Sequence, residues 1–220
     1  MEIKKKLELI VSELPETVKL VAVSKTKPAS AILEFYQVGQ KIFGENKAQE
    51  MAAKYNELPK DIEWHFIGHL QSNKVKYIAP FVSCIHSVDS ISLLEEINKK
   101  AESNGRIIDC LLQMYISTEA TKFGMDKEDL NNFIGDSKLP VFKNINITGV
   151  MGMASFTDDL EQIKKEFKSL KSTFEFLKQN YFNGNSNFKE ISMGMSGDYK
   201  MAIAEGSTMV RIGSTLFGER

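Results

Sequence analysis

The sequence predicts an α/β fold: a single (β/α)8 barrel of the TIM type carrying an extra N-terminal helix. Three observations predict it. Eight short apolar, β-branched runs alternate with longer runs of helical period. The strand runs are apolar nearly throughout, as expected of parallel strands covered on both faces. The first strand is followed by Ser-Lys-Thr-Lys-Pro, residues 24–28, and not by the glycine-rich phosphate fingerprint of the open dinucleotide fold. A doubly wound open sheet is the competing arrangement, and the count of eight units favours closure.

The elements follow in order. MEIKKKLELIVSEL (1–14) reads as an amphipathic helix with acids among its lysines, which is not a signal peptide. VKLVAVS (18–24) is a strand by its valines. Pro28 opens a helix that runs to about Val38, and Gly39 ends it. KIFGE (41–45) is the second strand and Asn46 starts the next helix. DIEWHFI (61–67) is the third strand, with a helix expected over 70–82. SCIHSV (83–88) is the fourth; its helix starts at Asp89 or Ser90, with Leu93, Leu94 and Ile97 at helical spacing. IIDCLLQMYI (107–116) is a long fifth strand, followed by a helix at about 126–137. INITGVMGM (145–153) is the sixth. The helix at 159–180 places Leu160, Ile163, Phe167, Leu170, Phe174 and Leu177 on one stripe. FKEISMG (188–194) is the seventh strand, DYKMAIAEG a short helix, and TMVRIG (208–213) the eighth strand.

Composition bounds the function. The chain has 220 residues, 42% hydrophobic, and a net charge of -1 from 28 basic and 29 acidic residues. It reads as one domain over 1–220, able to bury a core without disulfide or metal. No field of one sign points to nucleic acid or an anionic membrane surface, and no apolar run is long enough to span a bilayer. Cys84 and Cys110 fit neither a disulfide framework nor a zinc spacing, so a reducing cytoplasm is expected. Arginine is scarce: Arg106, Arg211 and Arg220 are all there is.

In such a barrel the chemistry sits at the carboxyl ends of the strands, and phosphate is often held by the loops after strands seven and eight. Lys25 follows Val21 and Val23 at period two, so it can point into the barrel. A lysine desolvated at an apolar mouth has a lowered pKa and a nucleophilic amine that can form a Schiff base with an aldehyde. A solvated loop lysine is the equal alternative, and Lys27 reads as a solvent or anion-steering charge. Ser196-Gly197 and Gly213-Ser214 read as a phosphate cup, against ordinary turn chemistry. GMSGD (194–198) ends in Asp198 and misses the G-x-S-x-G elbow, and GSTLFGER (213–220) is not a P-loop. His65 and His69 are four apart without an H-E-x-x-H, so no metal site is expected. His65 reads as a pocket or core residue, and His86 and Cys84 as core. Met151, Met153, Met193 and Met195 read as packing and pocket wall. No Ser-His-Asp or Cys-His set assembles, so no catalytic residue is assigned.

These residues carry a resemblance. LVAVSKTKP (20–28), FGEN (43–46), EWHFIGHLQSNK (63–74), TKFG (121–124), GMSGDYKMAIAEGSTMVRIG (194–213) and FG (217–218) closely resemble the YggS/PROSC family of pyridoxal 5'-phosphate (PLP) homeostasis proteins. That family is similar to the N-terminal barrel of alanine racemase. The resemblance implies that Lys25 forms the internal aldimine with PLP. It places Ser196, Gly213 and Ser214 on the phosphate, with Gly197 beside them at a variable position. It implies that Arg211 faces the pyridine nitrogen, which weakens PLP as an electron sink. Asn46 and His65 match pocket residues and Met151 a pocket wall. Tyr115 departs from the small polar residue common in the family, and the chain stops at Arg220, short of a basic tail that some members carry.

The reading is a non-catalytic PLP binder that buffers or delivers the cofactor, with apo PLP-enzymes as recipients, as a monomer or weak dimer. The alternatives are an amino-acid racemase or related PLP enzyme, and a phosphate-binding barrel enzyme without PLP. Racemisation needs two acid/base groups on opposite faces of the substrate. Lys25 offers one, and the sequence offers no second. A barrel takes about 250 residues, so 220 residues are expected to leave nothing for a further domain.

Overall fold

The computed structural model describes residues 2–118, 124–135 and 142–218. Eight strands form a closed barrel in chain order. They are β1 (Lys19–Val23), β2 (Ile42–Glu45), β3 (Glu63–Phe66), β4 (Cys84–Val88), β5 (Ile108–Met114), β6 (Ile145–Gly152), β7 (Glu190–Ser192) and β8 (Met209–Ile212). Neighbours are parallel, and β1 pairs with β8 from Lys19↔Met209 to Ala22↔Ile212, which closes the ring. The helices are α1 (Glu2–Glu13), α2 (Ala29–Gln37), α3 (Ala48–Glu57), α4 (Val75–Ile78), α5 (Ile91–Ser103), α6 (Lys127–Gly135), α7 (Leu160–Asn180), α8 (Tyr199–Ala204) and α9 (Ser214–Phe217). None of the described helices is long and apolar enough to cross a membrane.

The helix starts follow local chemistry. Pro28 holds the N-cap position of α2. Ser90 Oγ accepts from Leu93 N–H at α5, and Asp159 accepts from Glu161 and Gln162 N–H at α7. The Ser90 and Asp159 side chains satisfy amides that the first helical turn leaves without a partner.

The strands alternate between two environments. Leu20, Ala22, Phe43, Trp64, Phe66, Ile85, Leu112, Val150, Ile191 and Val210 face outward and pack with the helices in one large core. From α7 that core receives Ile163, Phe167, Leu170, Phe174 and Leu177, each worth roughly 1.5–3 kcal/mol of burial. The inward residues are a smaller and more polar set. Cys84, Leu111 and Met151 form an apolar cluster there, beside His65, His86, Ser192 and Arg211.

Three local expectations differ. Residues 70–82 form a 3-10 turn (Ser72–Lys74) and the four-residue α4, not one long helix. Pro80 has no N–H to extend the ladder and crowds the preceding turn. Leu160 is 62% exposed, because the first residue of α7 stands at the barrel rim ahead of the turns that reach the sheet. α9 was not anticipated. The far end of the helix expected at 126–137 and residues 121–123 of the TKFG string lie outside the described residues.

Candidate functional site

A cavity of about 710 Å³ opens at the carboxyl ends of the strands. Val23, Lys25 and Lys27 enter it from the end of β1, and Asn46 from β2. Gly68 and His69 come after β3, Gln113 lies on β5, and Met195 through Asp198 follow β7. Arg211, Gly213 and Ser214 close the ring from β8. Seven of the nine expected binding residues therefore share one wall: Lys25, Asn46, Ser196, Gly197, Arg211, Gly213 and Ser214. Period two explains Lys25, since Val21 is buried inside the barrel and Val23 lines the cavity below it.

The cup after β7 and β8 is tied together. Gly213 N–H donates to Ser196 Oγ at 3.2 Å, and Asp198 accepts the Met195 N–H at 2.5 Å. Burial raises the Asp198 carboxyl above its ordinary range, against that hydrogen bond and the nearby Arg211 charge. Gly68 is required where it stands: a Cβ there would lie 2.5 Å from the Asn46 carbonyl oxygen. Asn46 Oδ1 is itself buried without a hydrogen-bond partner.

Arg211 is 4% exposed. One terminal nitrogen donates to Ser192 Oγ at 2.7 Å and the other to the Gly152 carbonyl at 3.1 Å. Burial lowers its pKa to about 10, and Asp198 opposes that shift. Behind it, Ser192 Oγ lies 3.0 Å from His86 Nδ1, and His86 Nε2 lies 2.9 Å from His65 Nδ1. The guanidinium can only donate, so Ser192 Oγ accepts from it and keeps its own proton and a second lone pair for His86. His86 stands between the Ser192 hydroxyl and the His65 imidazole, its neutral ring donating from one nitrogen and accepting at the other. Burial holds both imidazoles neutral, His65 at about 3 and His86 well below the ordinary histidine value.

Two expected site residues are not on the cavity wall. His65 lies one layer lower, and with Cys84 it lines a second cavity of about 240 Å³ at the amino ends of the strands. Met151 is 1% exposed and packs against Cys84 and Leu111 beneath the cavity floor. Both point inward as period two requires, but they sit at a lower register. Sequence reasoning missed Ser192, although alternation from Glu190 on β7 would have turned it inward. It read His86 as core packing, without the hydrogen bonds. His65, Cys84 and His86 bring donor atoms within 4.8 Å of one another, and the two imidazoles hydrogen-bond to each other at 2.9 Å.

A parallel barrel with a lysine at one side of its mouth and a Ser/Gly cup at the other is the class that the comparisons identify: the family described as alanine racemase, N-terminal domain, matches residues 2–220. Within that class the chain belongs to the pyridoxal phosphate homeostasis proteins. It is 42% identical over 204 residues to the one from Aquifex aeolicus, covering 92% of this chain and 87% of that one. It is 36% identical over 213 residues to the one from Synechocystis, covering 96% and 95%. PipY of Synechococcus elongatus, solved with PLP bound, superimposes with a TM-score of 0.87 at 36% identity, over 98% of this chain and 100% of that one. Alanine racemase from Clostridium difficile shares the fold, with a TM-score of 0.74 at 15% identity; this chain spans 56% of its length.

Proposed function

We propose that this chain binds PLP reversibly in the cavity at the carboxyl ends of the strands and serves PLP homeostasis without catalytic turnover. The observation that carries the reading is the wall itself: the Lys25 amine from the end of β1, the tied Ser196–Gly213–Ser214 cup from β7 and β8, and Arg211 from β8. The donor set fits the cofactor. PLP supplies an aldehyde to an amine. Hydroxyl and backbone N–H groups of Ser196, Gly197 and Ser214 would hold its phosphate. Arg211, which donates and never accepts, would face the ring nitrogen and leave it unprotonated, so the ring stays a poor electron sink. Asn46 would sit beside the ring. His65 acts on the ligand only through His86, Ser192 and Arg211, and Met151 supports the floor from below.

The named role of the relatives and the PLP held by PipY support the same reading. A cytoplasmic location suits two free, buried thiols, Cys84 and Cys110. Apo PLP-enzymes are the recipients we assign, and a monomer or weak dimer the working form. The test is spectroscopic. Protein loaded with PLP is expected to show the absorbance of lysine-attached cofactor, and Lys25→Ala to abolish it. A band that survives in Lys25→Ala sinks the lysine assignment. Amino-acid racemase assays are expected to be blank; robust turnover that depends on Lys25 would overturn the non-catalytic reading. Timed transfer of bound PLP to an apo-enzyme, set against free PLP, separates a carrier from a passive binder.

A further inference from the structure

The peptide groups on both sides of Lys25 are gripped by charged residues outside the barrel wall. Glu45 ends β2 facing α3, and Glu50 and Lys54 lie on α3. Lys54 is 7% exposed and Glu45 0%. The Lys54 ammonium donates to Glu45 Oε1 at 2.7 Å, to Glu50 Oε1 at 2.7 Å and to the Ser24 carbonyl at 3.0 Å. Those three bonds use all of its protons. Ser24 Oγ donates to Glu45 Oε1 at 2.6 Å, and the Thr26 N–H donates to Glu50 Oε1 at 2.8 Å.

Lys25 thus sits between two anchored neighbours. The second one, Thr26, has φ +67°, a left-handed conformation that a β-branched residue adopts only where its surroundings impose it. Packing does not call for this cluster. It stands in a layer otherwise filled by residues such as Phe43 and Met51, and apolar side chains of similar volume fill such a layer at lower desolvation cost. Glu45 Oε2 even remains buried without a partner. Fixing the Ser24–Thr26 backbone accounts for the cluster.

We propose that Glu45, Glu50 and Lys54 are positioning residues that set the backbone of Lys25 so that its amine meets an aldehyde in the cavity. The inference rests on the reading of Lys25 as the attachment point. Attachment forms one C=N bond between Lys25 Nζ and the aldehyde carbon, and the aldehyde oxygen leaves as water. A misplaced amine slows that step and leaves phosphate recognition on the far side of the cavity intact.

The test separates the two. Attachment rate is read by stopped-flow absorbance with PLP. Non-covalent binding is read by calorimetry with pyridoxine 5'-phosphate, which has an alcohol in place of the aldehyde. Glu50→Ala is expected to slow attachment about tenfold, the loss implied by one charge-assisted hydrogen bond, with the analogue's affinity unchanged. Glu50→Gln, which keeps an acceptor for the Thr26 N–H, is expected to recover most of the rate. Lys54→Met is expected to behave like Glu50→Ala. Because Glu50 is part-exposed, its variants carry the test even if Lys54→Met fails to fold. Equal rates in wild type and Glu50→Ala overturn the inference, as does a parallel loss of analogue binding. Wild-type protein that takes up no PLP overturns the functional reading as well.

Discussion

Acid probes the polar interior of the barrel. His65 is 5% exposed, and burial, aided by the Lys19 charge, holds its imidazole at about 3 against an ordinary 6.5. Burial also drives His86 down, with the charges of His65 and Arg211 adding to the shift. A base with a lower pKa in the folded state takes its proton more readily when unfolded. Its stabilising contribution is therefore complete above pH 6.5 and is lost as the pH falls from 6.5 toward 3. Each such histidine costs about 1.4 kcal/mol per pH unit in that window, so His65 alone removes about 2 kcal/mol between pH 6.5 and pH 5. His86 adds to the loss. Glu45 and Asp198, whose carboxyls are raised by burial, bind protons more readily folded and soften the fall at its acid end. Urea unfolding followed by circular dichroism at pH 7.5, 6 and 5 measures the effect. His65→Asn is expected to be less stable than wild type at pH 7.5 yet to lose less on acidification, by about 2 kcal/mol. Equal unfolding free energies for wild type at pH 5 and 7.5, or identical pH slopes in the two proteins, would refute the assignment of a buried neutral pair.

Other consequences are as concrete. Arg211→Glu places an acceptor where the structure has only donors, and is expected to change the absorbance spectrum of bound PLP and its pH dependence; an unchanged spectrum removes Arg211 from the ring contact. Ser192→Ala strips a buried acceptor from Arg211 and a hydrogen-bond partner from His86, and is expected to cost about 1–3 kcal/mol in urea unfolding. A loss below a few tenths would mean that the pairing along this chain is idle. Gly68→Ala forces a Cβ to within 2.5 Å of the Asn46 carbonyl, so weaker PLP uptake and a lower Tm are expected; wild-type uptake would show that the β2 and β3 loops yield freely.

Much of this was legible in the residues, for local reasons. The valines of β1, the apolar run of β5 and the apolar stripe of α7, all but its first residue Leu160, mark their own elements, because burial on a strand or a helix imposes its period. Period two also allows Lys25, two residues beyond Val23, to point into the barrel, but it left a solvated lysine as the equal alternative, and the family resemblance chose between them. Depth was not legible. Alternation says that His65 and Met151 face inward. Their height depends on register across strands, Gly44↔His65 on one side and Met151↔Ser192 on the other, and a single strand carries no record of its stagger against its neighbours. Ser192 was missed although alternation along the seventh strand turns it inward, because a serine on a strand carries no sign of the Arg211 and His86 that it meets across the barrel. The clamp on Lys25 was hidden for another reason: Glu45, Glu50 and Lys54 meet only when β2 and α3 are packed together.

Ring closure joins the two ends of the barrel's sequence. Lys19 and Glu190, paired at 2.7 Å, are 171 residues apart. Lys25 follows the first strand, and the Ser/Gly loops proposed to hold phosphate follow the last two. A bound cofactor would therefore bridge the seam like a clasp, gripping by its aldehyde on one side and its phosphate on the other. A growing or C-terminally shortened chain can form most of its helices and strands and still own only half a site. Contacts of such long sequence separation are the slowest to form, so cofactor uptake doubles as a report that the ring has closed.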